Sequence, residues 1–416
     1  MTMAKRVRLW TALGVAVFAG ATSVEAGTLQ SMPSVANPQI ILVDGEGGGE
    51  GGGTSAATIY ALQSTDAKAY GYDATPQVDA YINLAFKSYE KAADSAAMLA
   101  KVVDAFVAAP SAETLAAARK AWLAARPAYL RTEAFRFYDG PIEAVEGEIN
   151  AWPMNEAYID YVEGKPGAGI INDPKVKLDV ATLEGVNQKQ DEADVTIGWH
   201  AVEFLLWGQD LSADGPGNRP FADYIAGQGN NDRRREYLKL VTGQLAKELH
   251  TLEERWEFEE PDNYATAFKA LPPREAVGRM INGMAILAGY EFMSQRLGVA
   301  LDSGDQEDEH SCFSDSTKQD FVHDLVGIKA VWTDAKLVDL VAAQDPALAK
   351  HVDGLFADAE IKINALGDPW DQVLAAPKDS PARQDAEAAV TALQSLADGL
   401  KDVGNTLGVL VLIPTG

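Results

Sequence analysis

The 416-residue chain is long enough for one large domain or two medium ones, and its 61 acidic against 35 basic side chains leave a formal charge of −26. That balance argues against nucleic acid and anionic membrane surfaces as partners; it fits attraction of cations as readily as plain solubility. The only cysteine, Cys312, excludes an internal disulfide framework.

The chain opens on a targeting segment. Lys5, Arg6 and Arg8 precede the apolar, uncharged residues 9–21, and Val24-Glu25-Ala26 offers a cleavage site before Gly27. The apolar run is short for a membrane span, and no cysteine follows it to take a lipid. The expectation is a signal peptide over 1–26 and an exported bacterial protein. It would be periplasmic or associated with the outer membrane or cell surface, with no transmembrane span in the mature chain. Cleavage would move the charge to −28. Residues 27–57 read as a flexible linker around Gly45-Glu46-Gly47-Gly48-Gly49-Glu50-Gly51-Gly52-Gly53. No Lys-Ser/Thr follows those glycines, so they are not a phosphate-binding loop.

Helical periodicity begins at Pro76. Val78, Tyr81, Ile82, Ala85, Tyr89, Ala92 and Ala93 share one face of a helix over 76–109, which Pro110 ends. Ser111 caps the next helix, predicted to run through Trp122 toward Phe137 with a kink at Pro127. A helix over 194–207 is closed by Gly208. Residues 231–258 form a long charged helix, and 273–301 a more apolar one placed centrally. Helices over 316–332, 346–366 and 381–407 complete the second half. The apolar end, 408–413, is far too short to span a bilayer and reads as the last piece of core. The expected fold class is all-α: two packed helical-bundle domains, 58–260 and 261–416, divided near Glu260-Pro261-Asp262.

The segment 194–207 carries the chemistry. His200 and Glu203 stand three residues apart, so both leave one face of an apolar helix. Buried polar groups are costly unless paired or used. One reading is metal ligation by the imidazole and the carboxylate, or acid–base work; the other is a hydrogen-bonded pair holding two helices in register. Gly198 lets another backbone or a ligand come close, at a cost in helix propensity. A second such pair, His250 and Glu253, lies among Lys247, Glu248, Glu254 and Arg255 and reads as a solvated face, which makes it an internal control.

Two ligands are too few for tight metal binding, and three places could add more. Glu133 shares its stretch with Arg126 and Arg136, beside Trp122, Tyr129 and Phe135; the alternative is a salt bridge within the helix. Glu291 is a carboxylate in an apolar helix, otherwise paired with Arg296 or Arg279. Glu307-Asp308-Glu309-His310 gathers three carboxylates and an imidazole before Ser311 and Asp315; otherwise it is an acidic loop, with Asp315 or Ser316 capping the next helix. Cys312, close to His310, is a nucleophile or a buried thiol. The metal candidates are thus His200, Glu203, Glu133 and His310. Gly198, Arg136, Glu291, Glu309, Ser311 and Asp315 complete the candidate site. A His-Glu-x-x-His motif is absent among the five histidines, as is a Gly-x-Ser-x-Gly elbow.

Gly198-Trp199-His200-Ala201-Val202-Glu203 matches the Gly-x-His-x-x-Glu signature of the imelysin-like proteins, peptidase family M75. The chain resembles that family from about Ala74 onward. Glu309-His310-Ser311-Cys312-Phe313-Ser314-Asp315, and the stretch from Trp122 to Arg136, resemble its iron-regulated protein A branch. The resemblance implies two related bundle domains from a distant duplication, a site near their interface, a peptidase label and a link to iron. The expected function is therefore binding of a divalent or trivalent metal, iron favoured and zinc compatible, free or as a chelate. An outer-membrane or periplasmic uptake partner would receive it. A metallopeptidase using His-x-x-Glu and a non-catalytic surface module are the alternatives.

Overall fold

Helices start where the sequence supplies caps. Thr75–Ala108 has Pro76 in its first turn and buries Val78, Tyr81, Ile82, Ala85 and Tyr89. Ser111 opens Ala112–Leu130 with a capping box: its hydroxyl accepts the Thr114 N–H at 3.2 Å, and Thr114 Oγ1 accepts the Ser111 N–H at 2.9 Å. This helix stops at Leu130 and does not reach Phe137. Pro127 lies in its last turn, where its ring removes a helical N–H. A 3-10 turn, Glu133–Phe135, follows, and Phe137 takes φ 69°.

The computed structural model describes residues 39–40, 60–62, 70–258 and 260–414. The targeting segment, and the Gly-rich stretch apart from Gln39–Ile40, lie outside them. Among the described residues the fold is all-α apart from one small sheet. Asn231–Trp256 and Ala112–Leu130 both pack along Thr75–Ala108. Pro346–Ala365 packs along Pro381–Thr406, which also meets Pro273–Ile286. Ala112–Leu130 further contacts Thr317–Thr333. At that crossing a Cβ on Gly327 would sit 2.6 Å from the Arg131 carbonyl oxygen, so only glycine allows the approach. Trp122, Trp199, Trp256, Trp332 and Trp370 are fully buried. Among the described residues no helix is long and apolar enough to cross a membrane.

Two further elements differ from expectation. The helix predicted over 273–301 is regular through Ile286 and then widens into a π-helix, Leu287–Gly298, before Val299–Ser303. A π turn aligns residues five apart, and Arg296 Nη2 donates to Glu291 Oε1 at 3.2 Å across that spacing. The apolar C-terminal end buries Val409 and Val411, as core residues would be, but as a strand. Val409–Val411 pairs antiparallel with Tyr60–Leu62, which pairs with Gln39–Ile40. Strands this short carry no alternation to read.

Candidate functional site

Trp199–Trp207 starts five residues later than the pattern predicts. Gly198 holds φ 91°, which no right-handed helix contains, and a Cβ there would lie 2.6 Å from the Ile149 carbonyl oxygen. All nine residues of the helix are buried. His200 Nδ1 and Glu203 Oε2 are 3.0 Å apart. The other Glu203 oxygen accepts the Ser314 N–H at 3.0 Å and its hydroxyl at 2.7 Å. Burial pushes the Glu203 carboxyl up to about 8, with Ser314 opposing.

His250 and Glu253 show the same 3.0 Å contact on an exposed face. The hydrogen bond to Glu253 raises the His250 pKa, whereas burial, followed by Arg126, holds His200 well below the usual value. The local motif is identical; its surroundings set the proton affinity.

Arg126 occupies the centre of the site. Its Nη1 donates to Asn150 Oδ1 at 2.5 Å and its Nη2 to Asp320 Oδ2 at 3.2 Å. The same Nη2 lies 3.3 Å from His200 Nε2 and 3.4 Å from both ring nitrogens of His310. The rings of Trp122, Tyr129 and Trp199 surround the guanidinium at 5.6–5.9 Å. His310 Nδ1 sits 2.7 Å from Asp320 Oδ2, which also accepts the Ser311 hydroxyl at 2.7 Å. The two imidazoles are 5.1 Å apart, centre to centre. Burial, then Arg296 and Arg126, hold His310 well below its usual pKa. These partners assign His200 the Nδ1–H tautomer, leaving its Nε2 lone pair toward Arg126. Half-buried Trp152 lies 4.9 Å from the His200 ring and 6.0 Å from Phe313.

Glu133, Arg136 and Glu291 form a neighbouring ionic cluster. Glu133 Oε2 accepts from Arg136 Nη1 at 2.6 Å and from Arg296 Nη2. Arg296 Nη1 reaches Asp324 at 2.7 Å, and Arg136 reaches Glu146 at 3.2 Å. Burial opposes ionisation of Glu133, yet Arg136 and Arg296 prevail and hold it well below the usual carboxylate range. Glu133 is thus committed to two guanidinia, and no contact joins it to His200 among the described residues. Glu291 takes Arg296, one of its two expected partners; Arg279 reaches Glu275 instead.

Glu309 and Asp315 belong to a third group, with Asp210 and Asp371. Burial, reinforced by Asp371, raises Glu309 to about 11 and Asp315 to about 8. Cys312 is buried, and burial pushes its thiol up.

His200, Glu203 and His310 are therefore brought together, with Ser311 bracing them through Asp320. Sequence reasoning missed Asn150, Ser314, Asp320 and Asp324, and did not place Arg126 between the imidazoles. Asp320 and Asp324 had left a signal: two carboxylates at i, i+4 on a helix of mixed polarity. Asn150 had left none.

The family model for imelysin, peptidase M75, matches residues 85–400. The iron-regulated protein A of Synechococcus elongatus is 24% identical over 322 residues, covering 74% of this chain and 79% of that protein. A crystal structure described as an iron-regulated protein A precursor, from Parabacteroides distasonis, superposes with a TM-score of 0.67 at 21% identity. That likeness covers 82% of this chain and 97% of the other. An imelysin-like protein from Psychrobacter arcticum superposes with a TM-score of 0.61 at 16% identity, over 83% of this chain and 99% of its own. These structures establish a shared fold. With the family model spanning most of its length, the chain belongs to the imelysin family, peptidase family M75.

Proposed function

We propose that this protein serves metal acquisition outside the cytoplasm by binding iron, or a comparable metal, as an anionic complex. His200 and His310 offer the metal nitrogen ligands, and Arg126 holds the negative part of the complex. One observation carries this reading: two buried imidazoles, both held neutral, look onto a single guanidinium. Neutral imidazole is the ligating form. Glu203 fixes His200 Nδ1 and so directs Nε2 into the site. A bare cation would face Arg126 at close range in a dry interior, where like charges repel strongly. A carboxylate- or phosphate-bearing chelate turns that repulsion into a charge-assisted hydrogen bond. The name of the Synechococcus relative fits iron as cargo. The N-terminal segment fits export, with delivery to an uptake partner in the periplasm or outer membrane.

The test is equilibrium dialysis against ferric citrate and, separately, zinc or manganese chloride, followed by elemental mass spectrometry. The wild type is expected to retain iron from the chelate. His200→Ala and His310→Ala are expected to weaken that binding by about tenfold or more. Arg126→Gln should cross over, losing the chelate and gaining affinity for the bare ion. Chelate binding that is absent in the wild type, or untouched by His200→Ala, would sink the reading.

A further inference from the structure

We infer that Asp210, Asp315 and Asp371, with Glu309 packed beside them, form a calcium site separate from the His200 centre. The proposal goes beyond the function proposed above and does not depend on it. Asp210 follows the signature helix, Glu309 and Asp315 flank the loop of His310 and Ser314, and Asp371 lies in the short helix Trp370–Ala375. Carboxylate oxygens of Asp210, Asp315 and Asp371 all lie within 4.8 Å of one another. Two oxygens bound to one calcium at about 2.4 Å can be at most about twice that apart, so the three can share an ion.

The second observation is a set of buried oxygens without a counter-charge. Glu309 and Asp371 are 0% and 1% exposed, and no cationic or backbone N–H donor among the described residues reaches any of their four carboxylate oxygens; their polar neighbours are one another and, for Glu309, the Thr317 hydroxyl. Asp315 Oδ1 is likewise unpartnered. Asp210 takes neutral donors, Gln306 Nε2 at 3.1 Å and the Ser212 N–H at 3.2 Å, and otherwise faces the Asp371 carboxyl. No Lys, Arg or His pairs with any of the four among the described residues. Buried carboxylates normally find a counter-charge, as Glu133 does with two guanidinia. The other group of three acids, Glu148, Glu184 and Glu248, is less enclosed, and Gln244 donates to two of its members. The unpartnered group is therefore the one that calls for a cation.

The donor set points to calcium. It is all oxygen and carries no imidazole or thiolate, which selects a hard cation. The ligands come from separate stretches of the chain, two of them loops and one the short helix Trp370–Ala375, and calcium tolerates so mixed a ligand set better than magnesium, which demands near-ideal octahedral geometry. A bound ion would tie the chain after the signature helix to the loop that presents His310 and Ser314. It would act as a clamp on the neighbouring centre and not as part of it.

The experiment uses the full chain, stripped with chelator and titrated with calcium chloride by calorimetry and thermal melting. One calcium per chain and a Tm rise of a few degrees are expected. Asp315→Asn with Asp371→Asn should weaken calcium binding at least tenfold. Without calcium, that variant should melt no lower than the stripped wild type, because two like charges are gone; asparagine also suits the left-handed backbone at 315. His200→Ala should bind calcium unchanged, which separates this site from the metal-complex reading. No calcium bound at millimolar concentration, binding that survives in the double variant, or tighter binding of magnesium would each overturn the assignment.

Discussion

Arg296→Met is expected to destabilise the protein by about 3–5 kcal/mol, the cost of removing one partner from a buried ionic network. Arg296 is almost fully buried and bonds Glu133, Asp324 and Glu291 at once. Methionine matches its stem but leaves Asp324 with no cation and Glu133 with Arg136 alone. Urea unfolding should show the loss as a lower midpoint at an unchanged slope. Its pH dependence has a definite sign. Burial pushes Asp324 up to about 8 even with Arg296 opposing. A carboxyl raised in the folded state contributes stability at low pH that is lost as pH rises through that value. Without Arg296 the carboxyl rises further, so the loss continues to higher pH. Glu133 is depressed in the wild type and stabilises above the unfolded carboxylate value; the variant forfeits part of that too. Both effects make the deficit larger at pH 8 than at pH 4. A deficit independent of pH would mean that lost packing, not charge, is responsible. Adding Asp324→Asn should recover part of the loss, a non-additivity expected of contacting residues.

Gly198→Ala should cost about 3 kcal/mol or more, combining a glycine-only backbone with a blocked Cβ. The methyl would meet the Ile149 carbonyl group, at 2.6 Å from the oxygen and 2.8 Å from the carbon. The consequence should reach the site. Ile149 precedes Asn150, whose side chain accepts from Arg126, so displacing that backbone moves the guanidinium between the imidazoles. Iron retention from ferric citrate is expected to fall along with Tm. Gly243→Ala is the matched control. It sits inside Asn231–Trp256 with open space around its Cβ, and there alanine should stabilise by about 0.5–1 kcal/mol. If the two substitutions behave alike, close backbone approach is not what position 198 requires.

The long helices were legible because each carries a periodic apolar face and a cap or proline at its start. Pro76, Ser111 and Pro273 mark starts in the sequence and in the structure. The signature helix was misread at its N-terminus because apolar periodicity extends through Val195 and Ile197, while the backbone break rests on one glycine. The π segment was illegible because its five-residue pairing of Glu291 with Arg296 looks, in sequence, like an ordinary helical ion pair. At the site, spacing brought out His200 with Glu203, and the block 309–315 brought out His310. Neither could separate Glu309 from His310. Adjacent in the chain, one faces the unpartnered acids and the other faces Arg126. Asn150 is supplied by a turn with no pattern, and Arg126 looks from its sequence like a partner for Glu133.

Arg126 also acts as a placeholder. Its guanidinium fills the space between the two imidazoles, bonding Asn150 and Asp320 while keeping the imidazole nitrogens in register. A centre packed around its own guanidinium in this way has its ligands ordered before any cargo arrives, so most of the ordering cost is already met. On the proposed function, loading would displace that guanidinium from between the imidazoles, so it should be a slow-on event rather than a refolding one.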